Sequence, residues 1–236
     1  MSTITQSLRE AETGKLVPIK HRVLRQSVRE TLEEAICDGR LASGSPMVEV
    51  AIASELTVSR ASVREAMREL ERQGLVINFP HRKTIVAPWT PRDVSEFASL
   101  RAVLEGLAAR LATERNDRPL IAGLSAIVKR MRAECQRRSL KALTDLDLEF
   151  HDRLSAASGH SRLIRLLNDL KAQRRAIISA NRAHFLFYPN LKDIPDAHET
   201  IVEGLRARNG DGELVARTIE QHVMEGARRL VRLLKV

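Results

Sequence analysis

Aromatic side chains are scarce in this sequence: one Trp, one Tyr and five Phe make up 3% of 236 residues, so aliphatic side chains must supply most of any core. Cysteine is scarcer still. Cys37 and Cys135 are the only two and show no paired spacing, which argues against a disulfide framework or a cysteine metal cluster and fits a reducing compartment. No run approaches the ~20 apolar residues that span a bilayer. The stretch from Met1 to Lys20 is polar and lacks the apolar segment of a secretory leader. A cytoplasmic protein without a membrane partner is expected. Low-complexity tracts and solenoid-period repeats are absent too.

With 43% hydrophobic residues over this length, the chain can bury a full core and divides into two domains. Its formal charge of +9 favours polyanionic partners. Up to Thr90, however, thirteen Lys/Arg face eleven Asp/Glu, so most of the excess lies further on. Local patterning says more. Lys15 to Arg29 carries five basic residues and no acid, and Arg60 to Lys83 carries six basic residues against three acidic ones.

The second of these basic stretches reads as a DNA-recognition helix. Ser59 suits an N-cap, and Val63, Met67 and Leu70 recur at helical spacing, leaving Arg60, Arg64 and Arg68 on or near the exposed side. Arginines in the first turns suit the major groove, where the guanidinium fork reaches guanine O6 and N7 and its neighbours hold phosphates. A solvated surface helix is the bland alternative, since Arg64 with Glu65 and Arg68 with Glu69 also read as surface charge. The flanks decide. Upstream, His21 to Asp38 is amphipathic and ends at Gly39, and a turn leads to a short helix near Val48 to Leu56. Downstream, Gly74 suits a left-handed helix stop. Then Leu75 to Ile77 and Thr84 to Val86 are β-prone runs around a basic tip containing His81, Arg82 and Lys83. Three helices and a basic hairpin make a winged helix-turn-helix, with Ser59, Arg60, Ser62, Arg64, His81, Arg82 and Lys83 as candidate DNA contacts.

Beyond Pro88 the pattern is helical throughout. Thr90, Pro91 and Asp93 form a capping-box start. Helices are expected near 91–115, 118–138, 140–158, 160–187, 193–208 and 212–235, an all-α antiparallel bundle. The expected division is a flexible arm at 1–17, the winged helix at 18–88 and the bundle at 89–236, a mainly α fold.

Polar residues interrupt the apolar stripes of three of these helices. Asp147 and His151 share a face at i and i+4, His198 lies among Ile194, Ile201 and Leu205, and His222 lies among Ile219, Val223 and Leu230. A lone His on such a stripe is more often a hydrogen-bonded core residue. Three of them with an Asp point instead to a divalent metal site, for Zn²⁺ with Ni²⁺ or Mn²⁺ as alternatives, leaving room for water or a carboxylate ligand. His21, His81, His160 and His184 lack such placement. Arg101, Arg174 and Asn181 also fall on apolar stripes, and a buried arginine needs an anion. Internal partners such as Glu105 or Asp169 weigh evenly against the carboxylate of a small organic acid, with Arg101 as its likeliest second anchor.

The phrases Gly39-Arg40-Leu41 with Gly44, Val58-Ser59-Arg60, Val63-Arg64-Glu65-Ala66 and Gly74-Leu75-Val76 resemble the GntR transcription factors over about seventy residues. The resemblance implies operator contacts by Arg60 and Arg64 and a wing tip in the minor groove. Thr57 stands where that family usually has Gly, Val50 where some members carry a DNA-contacting Arg, and Lys83 where the wing usually has Gly. Asp147-x-x-x-His151 followed by His198 and His222 resembles the FCD effector domain of the FadR-type branch, which implies those four as ligands; six helices look more like the VanR-type subgroup. The expected function is a ligand-responsive repressor, not an enzyme, that reads a palindromic operator on double-stranded DNA as a homodimer and is released by a small acid. The competing reading is a metal-dependent hydrolase or lyase tethered to DNA. Against it, no further inward carboxylate is evident as a general base, and Glu149 should point away from the Asp147 face.

Overall fold

The computed structural model describes residues 21–80, 83–180, 188–207 and 211–234. The expected arm at 1–17, the tip residues His81 and Arg82, and Asn181 lie outside the described residues. In chain order the elements are α1 (His21–Cys37), α2 (Glu49–Glu55), α3 (Arg60–Arg72), β1 (Val76–Phe79) and β2 (Lys83–Val86). Then follow α4 (Pro91–Arg115), α5 (Arg118–Arg137), α6 (Leu140–Ala157), α7 (Ser161–Ala180), α8 (Asp193–Arg206) and α9 (Gly212–Leu233).

α3 begins where its cap dictates. The Ser59 hydroxyl accepts from the Ser62 amide at 3.1 Å, and the inward stripe Val63, Ala66, Met67 and Leu70 packs on α1. Between α2 and α3, Thr57 adopts φ +54°. β1 and β2 pair antiparallel with Val76 opposite Val86 and Phe79 opposite Lys83, each one residue longer than its β-prone run. Gly74, at φ +71°, ends the α3 region, and a side chain there would come within 2.5 Å of Gln173 on α7. The positive φ is what favours glycine there, since the Gln173 side-chain end can shift.

α4 opens with the expected capping box: the Asp93 amide donates to Thr90 Oγ1 at 3.2 Å, and the Thr90 amide to Asp93 Oδ2 at 2.9 Å. It packs along α9 and against α6, while α5 packs on α6 and α8. The core between them is aliphatic around one ring, with Leu124, Met131, Leu143, Phe150, Ile194 and Ile201 essentially sealed from solvent. α7 belongs to both units. One side meets α4 and α6, the other meets α1, and Ala172 and Ala176 are buried in the winged-helix core. Trp89 is half-buried against both cores. The segment from Pro88 to Thr90 thus joins units that share packing.

Candidate metal centre and nucleic-acid interface

One turn of α6 separates Asp147 from His151, so both project to the same side, where α8 brings His198 and α9 brings His222. The potential donor atoms of these four side chains all lie within 4.8 Å of one another. Asp147 Oδ1 is 3.2 Å from His198 Nε2 and 3.9 Å from His151 Nε2. The His222 ring stacks on His151 at 5.3 Å between centroids and meets His198 edge-on at 4.5 Å.

Hydrogen bonds fix which ring nitrogens face inward. His198 Nδ1 donates to the Ile194 carbonyl at 2.8 Å, and a carbonyl only accepts, so the His198 Nε2 lone pair turns to Asp147. That nitrogen is buried and makes no hydrogen bond. His151 Nδ1 donates to Glu105 Oε2 at 2.6 Å, again leaving Nε2 as the inward lone pair. Lone pairs gathered about a carboxylate oxygen suit a cation, and the three-imidazole, one-carboxylate set fits a Zn²⁺-class ion.

Titration points the same way. Burial pushes His151 below the usual imidazole range, with Arg101 adding to it against the pull of Glu105. Burial, with His198 and His151 nearby, takes His222 well below that range. Burial alone would raise the Asp147 carboxyl, but the His198, His151 and His222 rings hold it well below the usual carboxylate range. Burial and the Asp147 carboxylate thus pull His151 and His222 in opposite directions, with burial dominant; unprotonated rings beside an ionised carboxylate are the forms in which these groups would ligate a metal.

For Arg101 and Arg174 the internal partner and the external acid weighed evenly in the sequence, and the structure gives both an internal anion. Arg101 Nε bonds Glu105 Oε1 at 2.5 Å, as the i, i+4 spacing allows. Arg174 pairs with Asp152, lies 3.7 Å from Glu105 and donates to the Leu148 carbonyl at 3.3 Å, while Asp169 is not its partner. An inward carboxylate also exists. Glu105 is fully buried; burial would raise it, but Arg101, His151 and Arg174 together hold it far below its usual range. It is saturated with donors and so no general base. Glu149 does point away, pairing with Arg130 and Arg153. The sequence reaches Glu105 only as a counter-charge for Arg101, since a bond to a His 46 residues away has no local signature. Arg101 still lines the cavity beside the centre, about 40 Å³ in volume, with Asp147, His151, His222, Ile178 and Tyr188. Outside the centre, His160 Nδ1 accepts from the Leu163 amide at 3.2 Å and caps α7.

On the winged helix, Arg60 and Lys83 are exposed. Arg64 is exposed too, its guanidinium held bidentately by Glu49 of α2 at 2.9 and 2.8 Å. Ser62 instead faces inward at 8% exposure, its hydroxyl 2.9 Å from that of Ser59, because the third residue of the helix falls on its buried side.

Two family descriptions match this chain: "Bacterial regulatory proteins, gntR family" over residues 24–86 and "FCD domain" over residues 96–225. The chain is similar to the "Probable D-xylose utilization operon transcriptional repressor" of Paenarthrobacter nicotinovorans, at 31% identity over 83% of this chain and 84% of that one. It is also similar to the gluconate operon transcriptional repressor of Bacillus licheniformis, at 24% identity over 81% and 78%. A third relative is the galactonate operon transcriptional repressor of Escherichia coli K12, at 24% over 77% and 86%. Its fold is similar to that of a GntR transcriptional regulator from Rhodococcus sp. RHA1, with TM-score 0.71 and 21% identity over 88% and 97% of the two chains. These are descriptions of transcriptional regulators, not of enzymes.

Proposed function

This chain belongs to the gntR family of bacterial regulatory proteins and carries their FCD domain, and on that premise we propose that it is a metal-containing, acid-responsive repressor acting in the cytoplasm on double-stranded DNA. The observation that carries the metal reading is the buried His198 Nε2, without a hydrogen bond and facing Asp147. Asp147, His151, His198 and His222 would hold a divalent ion, Zn²⁺ before Ni²⁺ or Mn²⁺, which supplies an open position for a carboxylate. Arg101, beside that position, anchors the other end of the acid. The operons named for gluconate and galactonate in the relatives favour a sugar acid.

Arg60, Arg64 and Lys83 form the operator face, together with His81 and Arg82 at the tip. Ser59 shapes that face as the helix cap. Because one winged helix covers only a few base pairs, a homodimer reads a palindrome twice. The α4 side chains Leu100 and Val103, 52% and 63% exposed, supply its apolar contact with a second copy.

The experiment is operator binding by full-length protein with Zn²⁺ and then D-gluconate and D-galactonate, alongside Arg64→Ala and His198→Ala. Arg64→Ala should lose about 1–3 kcal/mol of operator affinity. An acid should bind only the metal-loaded wild type and lower operator affinity about 5- to 150-fold. Metal content unchanged in His198→Ala, or acids that bind without moving operator affinity, would sink this reading.

A further inference from the structure

The cavity beside the centre is too small for the acid it is assigned. At about 40 Å³ it has room for a water or two, against the roughly 300–1,000 Å³ of sites that hold organic ligands. A wall must therefore move. α4, α6 and α9 bear Arg101, the α6 ligands and His222, and α4 packs on both of the others in the bundle core. Among the described residues, α7 contributes to the cavity the apolar Ile177 and Ile178, and earlier in the same helix Ala172 and Ala176 are buried in the winged-helix core.

Polar contacts tie α7 to the centre. Arg174 on α7 reaches Asp152 and the Leu148 carbonyl on α6, and its Nη1 lies 3.7 Å from Glu105 Oε1. Glu105 Oε2 holds His151 Nδ1 at 2.6 Å. Lys171, one turn earlier, adds a 2.7 Å pair to Asp152.

We propose that Glu105 and Arg174 are positioning residues that connect the metal centre to the DNA-binding unit: Glu105 orients His151, Arg174 fixes α7 to Glu105, and α7 is the surface on which the winged helix sits. Filling the centre orders this connection, and an acid in the cavity displaces α7 and the winged helix with it. The inference rests on the metal reading above and gives Arg174 a role other than holding the acid.

The test titrates full-length wild type, Arg174→Lys and Arg174→Met with Zn²⁺ alone, following Zn²⁺ affinity by calorimetry, amide exchange of α1 and α7, and operator affinity by anisotropy. In wild type, Zn²⁺ should slow exchange in both helices and shift operator affinity about fivefold or more. Arg174→Met should bind Zn²⁺ within about threefold of wild type yet lose both responses, and Arg174→Lys should keep part of them. If Arg174→Met does not fold, Asp152→Asn, which leaves Glu105 paired, should lose part of the α1 response. Equal Zn²⁺-dependent protection of α1 in wild type and variants, or Zn²⁺ binding to wild type with no response in α1 or α7, overturns the connection and leaves the metal reading standing. No Zn²⁺ binding to wild type overturns both.

Discussion

His222 and His151 keep their protons off because burial disfavours the imidazolium, and this sets how the protein responds to acid. In the unfolded chain these rings take up protons near the ordinary value of about 6.5, whereas the folded protein refuses them until a lower pH. Their contribution is therefore present above about 6.5 and is lost as pH falls below it. Asp147 and Glu105, held low, add a further loss below about pH 4. Chelator-treated protein should melt at progressively lower temperature between pH 7 and 5, and His222→Ala should flatten that slope; parallel slopes would show that the ring is not held neutral. Added Zn²⁺ should raise the melting temperature of wild type but not of His198→Ala.

The helix-turn-helix shows both what a sequence discloses and what it conceals. Thr57 occupies the left-handed region at φ +54°, where a β-branched side chain is strained. Thr57→Gly should stabilise the protein by about 0.5–1 kcal/mol, the relief of strain outweighing glycine's extra unfolded freedom. A thermal melt shifted downward would refute that. The helix starts were legible because their caps are local: Ser59, and Thr90 with Asp93, announce them within four residues. The four-residue donor set was legible for a similar reason, since polar groups stand out on apolar stripes. The Glu105 bond to His151 was not, because the polar and apolar residues of α4 are spread around the helix rather than gathered on faces, and the i, i+4 spacing of Arg101 and Glu105 accounts for Glu105 without any further partner. The docking of α7 on the winged helix was hidden too, as alanines such as Ala172 and Ala176 carry no signal beyond helix propensity. Ser62 turned inward because its place in the helix, not its chemistry, decides its side.

Taken whole, the molecule carries its charge excess mainly in the bundle, so in the proposed dimer two winged helices together would supply the operator contact. Leu100→Glu with Val103→Glu should turn a dimer at micromolar concentration into a monomer by light scattering and weaken operator binding tenfold or more, with the bundle still folded. Retained dimer in that variant would move the contact away from α4. Trp89, the single tryptophan in a chain poor in rings, sits against both cores at once. The protein therefore contains one indole fluorophore placed at its own joint, and with excitation selective for tryptophan its emission colour and quenching report the separation of the two units without any dye or label.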